Sequence, residues 1–108
     1  MTTKARRLRE LLGGPEIVLA PGCFNALSAI LVEQAGFPAI YLSGAALAGN
    51  FLGYPDIGLA SMTEVLVNAK NLAAVTAVPV ICDVDTGYGN AVNVIRTVQE
   101  FEAAGMAG

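Results

Sequence analysis

Short apolar runs alternate along the chain with longer stretches in which apolar residues return every three or four positions. Residues 4–12 read as a short basic helix that ends at Gly13-Gly14. Ile17-Val18-Leu19-Ala20 is a first strand, stopped by Pro21-Gly22. Asn25 is a suitable N-cap, and Leu27, Ile30, Leu31 and Ala35 follow at helical spacing as far as Gly36. Ala39-Ile40-Tyr41-Leu42 is a second strand, followed by a long glycine-rich connection from Ser43 to about Ala60. Ser61 and Glu64 then form a capping box. The helix behind it carries Val65, Leu66, Ala69, Leu72, Ala73 and Thr76 on one face. Residues 79–84 are a third strand, and Asn90 caps a last helix whose inward side is expected at Val94, Ile95, Val98 and Phe101.

Strand–helix units in series imply an α/β fold with a parallel sheet and right-handed crossovers. One pattern recurs. Glu33 to Ala39 leads from a helix into a strand through Gly36, and Glu102 to Gly108 repeats that arrangement through Gly105, so a fourth strand is expected to begin near residue 108. A closed (β/α)8 barrel takes about 250 residues. The chain therefore reads as the first three strand–helix units of an incomplete TIM-type barrel, with residues 1–108 the N-terminal part of a single domain. A bare three-stranded parallel sheet would leave long unpaired edges.

Composition narrows the function classes. The 108 residues are 55% hydrophobic and only 14% charged, a balance suited to strands covered on both faces. The net charge is −3, and four of the six basic residues (Lys4, Arg6, Arg7, Arg9) crowd the N-terminus. No basic groove for nucleic acid is expected. Glu10, Glu16 and the Gly13-Gly14-Pro15 break leave no signal-peptide apolar region. The uncharged stretch 34–55 is interrupted by glycine and proline, and reads as strand and loop rather than as a membrane span. The expected location is the cytoplasm. Cys23 and Cys82 match no zinc or redox spacing. With no histidine in the chain, neither a serine–histidine nor a cysteine–histidine mechanism can be assembled from these residues.

Ligand sites in such folds lie beyond the C-terminal strand ends. The third end, Asp83-Val84-Asp85-Thr86-Gly87-Tyr88-Gly89, carries the most chemistry. On an extended segment Asp83 and Asp85 would share one face, with Cα atoms roughly 7 Å apart. Carboxylates held against an apolar barrel need a compensating cation. Mg²⁺, which takes one or two carboxylates and fills its octahedron with other oxygens, suits the pair, with Mn²⁺ as the alternative. The competing role is capping of the following loop. Ser43-Gly44-Ala45 follows a strand directly and offers backbone N–H groups to a carboxylate or phosphate. The connection behind it exceeds the usual length of about 2–6 residues. Asp56 is its acid, either reaching the site or forming a turn after Pro55. Tyr41 and Tyr88 flank the same face, and Tyr41 alternatively belongs to the core.

In this order and spacing, Leu8-Arg9-Glu10-Leu11-Leu12, Ala20-Pro21-Gly22, Tyr41-Leu42-Ser43-Gly44-Ala45, Leu52-Gly53-Tyr54-Pro55-Asp56-Ile57-Gly58 and the 83–89 segment resemble the isocitrate lyase and phosphoenolpyruvate mutase superfamily. The nearest resemblance is to its 2-methylisocitrate lyase-like and carboxyvinyl-carboxyphosphonate phosphorylmutase-like branch. The resemblance implies a homotetrameric (β/α)8 barrel that binds Mg²⁺ and a small 2-oxo- or hydroxy-carboxylate. It assigns the metal to Asp83 and Asp85, with Asp85 the more direct ligand. It assigns the substrate carboxylate to Ser43, Gly44 and Ala45, with Tyr41 beside them and Asp56 over the site. The implied reaction is C–C bond cleavage, with oxaloacetate decarboxylation and phosphonate P–C chemistry as alternatives in the same superfamily. Ala45 departs from the second glycine of many lyases. The superfamily's catalytic Lys-x-Cys-Gly-His loop has no counterpart before Gly108, so the chain alone is expected to be inactive. Readings of another class are a nucleotide-binding module or a non-catalytic interaction fragment. Thr86-Gly87-Tyr88-Gly89 lacks the lysine and the full glycine pattern that the nucleotide reading needs.

Overall fold

The computed structural model describes residues 3–108. Helix α1 (Lys4–Leu12) is capped by Thr3. It is followed by β1 (Gly22–Cys23), α2 (Ala26–Gln34), β2 (Ile40–Leu42), α3 (Gly44–Leu47) and a π-helical turn at Ala48–Leu52. Helix α4 (Met62–Val75), strand β3 (Val80–Cys82) and helix α5 (Ala91–Ala103) complete the order. The three strands form one parallel sheet in the order β1-β2-β3. Gly22 pairs with Tyr41, and Tyr41 in turn with Ile81. The strand–helix alternation expected from the sequence is thus present, and no helix among the described residues is long and apolar enough to cross a membrane.

Local chemistry sets the helix starts. Asn25, Ser61 and Asn90 are all N-caps, each in a reciprocal capping box. At the other end of α4, the Lys4 ammonium donates to the carbonyls of Ala73 and Thr76, both at 2.6 Å. A cation there suits the negative end of the helix dipole. Burial lowers the Lys4 amine from its ordinary value, and Glu33 partly offsets this. The core lies between the sheet and its helices. Ile40, Leu42 and Val80 meet Val65, Ala69 and Leu72 of α4 there.

Three expectations change. The first strand is Gly22–Cys23, not residues 17–20. Tyr41 N–H donates to Pro21 O, and Ser43 N–H to Cys23 O. Continued backwards, that register would set Leu19 opposite Pro38, which has no N–H to give. It would set Val18 opposite the turn at Gly36-Phe37. Ile17 is consequently 87% exposed. The connection after β2 is also not all loop, because Ser43 caps α3 by accepting the Ala46 N–H at 3.1 Å, and the chain continues helically to Leu52. The inward faces of two helices are rotated as well. In α2 the buried residue is Ala29, while Leu27 and Leu31 are 65% and 56% exposed. In α5 the buried pair is Thr97 and Phe101, while Ile95 and Val98 stand in solvent. Small or polar residues let these helices approach closely, and Leu27, Leu31, Ile95 and Val98 are left more than half exposed.

The repeated glycine pattern has the same backbone meaning twice. Gly36 and Gly105 follow α2 and α5 with φ of 91° and 99°, the left-handed turn that glycine favours. Beyond Gly105, Ala107 N–H donates to Val80 O, and Cys82 N–H to Gly108 O. The backbone at 107–108 thus lies alongside β3, where a further strand was expected. Val98, Phe101, Met106 and Val84 line an open cavity of about 260 Å³ on that side.

Two substitutions measure these contributions. Ser61→Ala should cost about 1 kcal/mol, and Leu72→Ala, at a fully buried site, about 2–5 kcal/mol. Urea unfolding midpoints at constant slope check both; equal losses would contradict this division between cap and core.

Candidate metal and carboxylate site

Parallel pairing brings the C-terminal ends of β2 and β3 side by side. Asp83 N–H donates to Leu42 O at 3.1 Å, which extends the ladder one residue past Cys82. The chain then turns. Asp85 N–H donates to Asp83 Oδ1 at 3.0 Å, and Gly87 N–H to Val84 O at 2.9 Å. Asp85 adopts φ of 48°. The Asp83-Val84-Asp85 segment is therefore not extended, as strand alternation had suggested. One acid folds the backbone that carries the other, so the loop-capping role of Asp83 is real. It occupies one oxygen of one carboxylate.

The partner strand end is shaped to this turn. A Cβ at position 44 would sit 3.0 Å from Asp83 Oδ2. Glycine is thus what allows the start of α3 to approach the carboxylate. Gly44, Asp56, Asp85 and Tyr88 line one cavity of about 10 Å³, the space of a single water or small ion. Asp56, on the exposed connection, is therefore brought to the site. Ala45 is exposed on α3, and Ser43 is its cap. Tyr41 is partly buried on β2, with the charges of Asp83 and Asp56 acting on its phenol.

Electrostatics around these acids run in one direction. The Asp85 carboxyl is raised from its ordinary value, first by desolvation and then by the charges of Asp83 and Asp56. The Tyr41 phenol is raised by burial, then by Asp83. The Tyr88 phenol is raised by burial, then by Asp85. Among the described residues, no basic side chain contributes to these shifts. Arg6 and Arg7 pair with Glu10, Arg96 pairs with Glu100, and Lys4 sits on helix carbonyls. Neither thiol is poised to react, since burial pushes Cys23 up to about 11 and Cys82 up to about 12. No group of three or more metal-ligating side chains occurs among the described residues. Asp83 and Asp85, two hard carboxylates with Asp56 close by, would fit a cation that keeps water and substrate oxygens in its shell.

Sequence reasoning did not find Thr97. Its hydroxyl lies 2.8 Å from Gly87 O, and its side chain is almost wholly buried. A polar residue on the buried stripe of α5 was the available signal.

A parallel α/β sheet with acids gathered at its C-terminal edge defines the class: the opening part of a (β/α)8-barrel enzyme scaffold. Comparison with known proteins then places the chain in a family. Residues 8–108 match the phosphoenolpyruvate phosphomutase family, and the chain belongs to that family, within the PEP mutase/isocitrate lyase superfamily. It is 47% identical to 2,3-dimethylmalate lyase of Eubacterium barkeri over 103 residues, covering 95% of this chain and 36% of that protein. It is 50% identical to 2-methylisocitrate lyase of Aeropyrum pernix over 100 residues, covering 93% of this chain and 32% of that one. Among solved structures, phosphonopyruvate hydrolase in complex with oxalate and Mg²⁺ superposes with a TM-score of 0.93 at 40% identity, covering 97% of this chain and 37% of that one. The chain thus spans about a third of the length of the curated relatives it matches.

The raised Asp85 carboxyl has a consequence for stability. Desolvation and like charge make the folded state hold its proton more tightly than the unfolded chain does, so stability falls as pH rises through that window. In metal-free buffer, Asp85→Asn should stabilise the fold at neutral pH. The gain should vanish below about pH 3.9, the ordinary carboxyl value. Unfolding curves against pH check this; an unchanged or lowered stability at pH 7 would contradict it.

Proposed function

We propose that these residues form the metal and carboxylate-binding corner of a Mg²⁺-dependent C–C bond lyase acting on a 2-methylisocitrate-like or other small 2-oxo- or hydroxy-carboxylate. The observation that carries the reading is the gathering of Asp56, Asp83 and Asp85, with no basic side chain among the described residues acting on Asp85. Likeness to 2-methylisocitrate lyase and 2,3-dimethylmalate lyase supports the reaction class.

Asp85, with Asp83 beside it, would hold the ion, with Mn²⁺ as a substitute for Mg²⁺. The chemistry such an ion supplies is Lewis-acid polarisation of a substrate oxygen, so that negative charge developing as the bond breaks is stabilised. The chain's own residues do the rest of the binding. First-turn N–H groups of α3, at Gly44 and Ala45, have no carbonyl one helical turn back to pair with. They can take a substrate carboxylate. The Ser43 oxygen is engaged by the Ala46 N–H, which leaves its O–H proton to donate. Tyr41 and Tyr88, both raised, stay protonated and can donate near the acids. Asp56, on the connection, lines the same cavity as Asp85 and Gly44.

None of these groups is suited to moving a proton at neutral pH. There is no histidine, and both thiols are raised far above neutrality. The 108-residue chain alone should therefore not turn over substrate. P–C bond cleavage on the same corner is the second reading, supported by likeness to phosphonopyruvate hydrolase.

In the full-length protein, Asp85→Ala should abolish Mn²⁺ binding followed by electron paramagnetic resonance, together with Mg²⁺-dependent cleavage of 2-methylisocitrate. The loss should exceed the roughly 10–100-fold typical of residues one shell removed from a metal. Wild-type-like Mn²⁺ affinity in that variant would refute the ligand role. For the isolated 108-residue chain, measurable turnover of 2-methylisocitrate would refute the claim that it lacks a proton-transfer group.

A further inference from the structure

The loop that carries Asp85 has a backbone that its own residues do not favour. Asp85 and Tyr88 stand at φ of 48° and 61°, with Gly87 at 96° and Gly89 at 152°. Each non-glycine residue held there costs about 1–2 kcal/mol. Such conformations persist where surrounding structure over-determines them. The contacts from outside the loop come largely from α5. Thr97 Oγ1 lies 2.8 Å from Gly87 O and 3.0 Å from Asn93 O. A hydroxyl has one proton to give, and the shorter contact is the one that reaches into the loop. Thr97 is 1% exposed, so water cannot replace it at that carbonyl. One turn further along α5, the Phe101 ring stacks on Tyr88, with centroids 6.4 Å apart and planes within 8°. Val94 fills the space where position 87 would carry a side chain, at 2.5 Å from an added Cβ. The same helix thus meets the loop at Gly87 and at Tyr88, the residues that follow Asp85.

We infer that Thr97 is a positioning residue for Asp85. By holding the Gly87 carbonyl it keeps the 85–89 turn in the left-handed course that presents the Asp85 carboxylate beside Gly44 and Asp56. Thr97 touches neither substrate nor ion and acts through the loop. The inference rests on the reading of Asp85 as a metal ligand. It adds that the site's geometry is set from α5, an element that contributes no ligand.

Thr76 provides an internal control. It is the other buried polar residue among those described, and its hydroxyl bonds only to Leu72 O, within α4. Both threonines can be changed to valine, which keeps the shape and removes the hydroxyl. In the full-length protein, Thr97→Val should weaken Mn²⁺ binding by about tenfold and speed amide exchange at Asp85 and Gly87. Thr97→Ser should restore both. Thr76→Val should lower the unfolding midpoint while leaving Mn²⁺ affinity and loop exchange as in wild type. Unchanged loop exchange in Thr97→Val overturns the inference. So does faster loop exchange with wild-type Mn²⁺ affinity, which leaves the metal reading intact. A wild-type protein that binds no Mn²⁺ overturns the metal reading and the positioning role together.

Discussion

Two carboxylates past the end of β3 and a third on the connection after β2 gather with no basic side chain acting on Asp85 among the described residues, and much of the surrounding structure follows from that placement. The Asp85 carboxyl is raised by desolvation and then by the charges of Asp83 and Asp56. In the reading proposed above, a cation would supply the positive charge that these acids lack. The chain commits backbone to the arrangement as well. Gly44 is the residue that lets α3 lie against Asp83, and Asp83 spends an oxygen on the turn that presents Asp85. If the proposed ligand binds here, a turn already formed would lower the reorganisation needed on binding.

The parts legible in the sequence were those governed by local rules. The capping boxes at Ser61 and Asn90 mark helix starts to the residue, and the buried stripe of α4 follows a helical period that Val65, Ala69 and Leu72 obey. Gly36 and Gly105 announce the same turn because a positive φ has few other occupants. The parts that escaped are settled by partners. Ile17-Val18-Leu19-Ala20 has the composition of a strand, yet strand status belongs to whichever residues find N–H and carbonyl groups across the ladder, and Pro38 gives none. Phe101 is buried as expected, but Leu27 and Leu31 of α2 and Ile95 and Val98 of α5 were also assigned inward, where Ala29 and Thr97 stand instead. Close approach favours a small residue in the first case. A buried hydrogen bond to a distant loop claims the second.

The site was legible as a set of residues more than as a geometry. Asp83, Asp85, Asp56 and Gly44 do converge, but alternation along a strand was not the reason. The strand ends at Cys82, and an acid side chain bonding two residues ahead replaces the ladder there. Such a turn is hard to read from sequence because Asp at a strand end serves equally as a ligand or as a cap. Here Asp83 has the capping contact, and its second oxygen is the one that faces Gly44.

Likeness to proteins of different reaction gives the corner its meaning. A dimethylmalate lyase, a methylisocitrate lyase and a phosphonopyruvate hydrolase align with this segment at 40–50% identity. Two of the names are those of lyases and the third is that of a phosphonopyruvate hydrolase. A segment shared at similar levels by all three is poorly suited to choosing which bond breaks. In the reading proposed above it serves what the reactions would share: acids that would attract a cation, and helix-start N–H groups that would take a carboxylate, whatever the leaving group is. The choice of leaving group then falls to residues that supply protons and fill the remaining volume, and these 108 residues contain no histidine and no thiol able to supply them. In that reading the division is physical: anion stabilisation would belong to the strand ends described here, and bond selection would not.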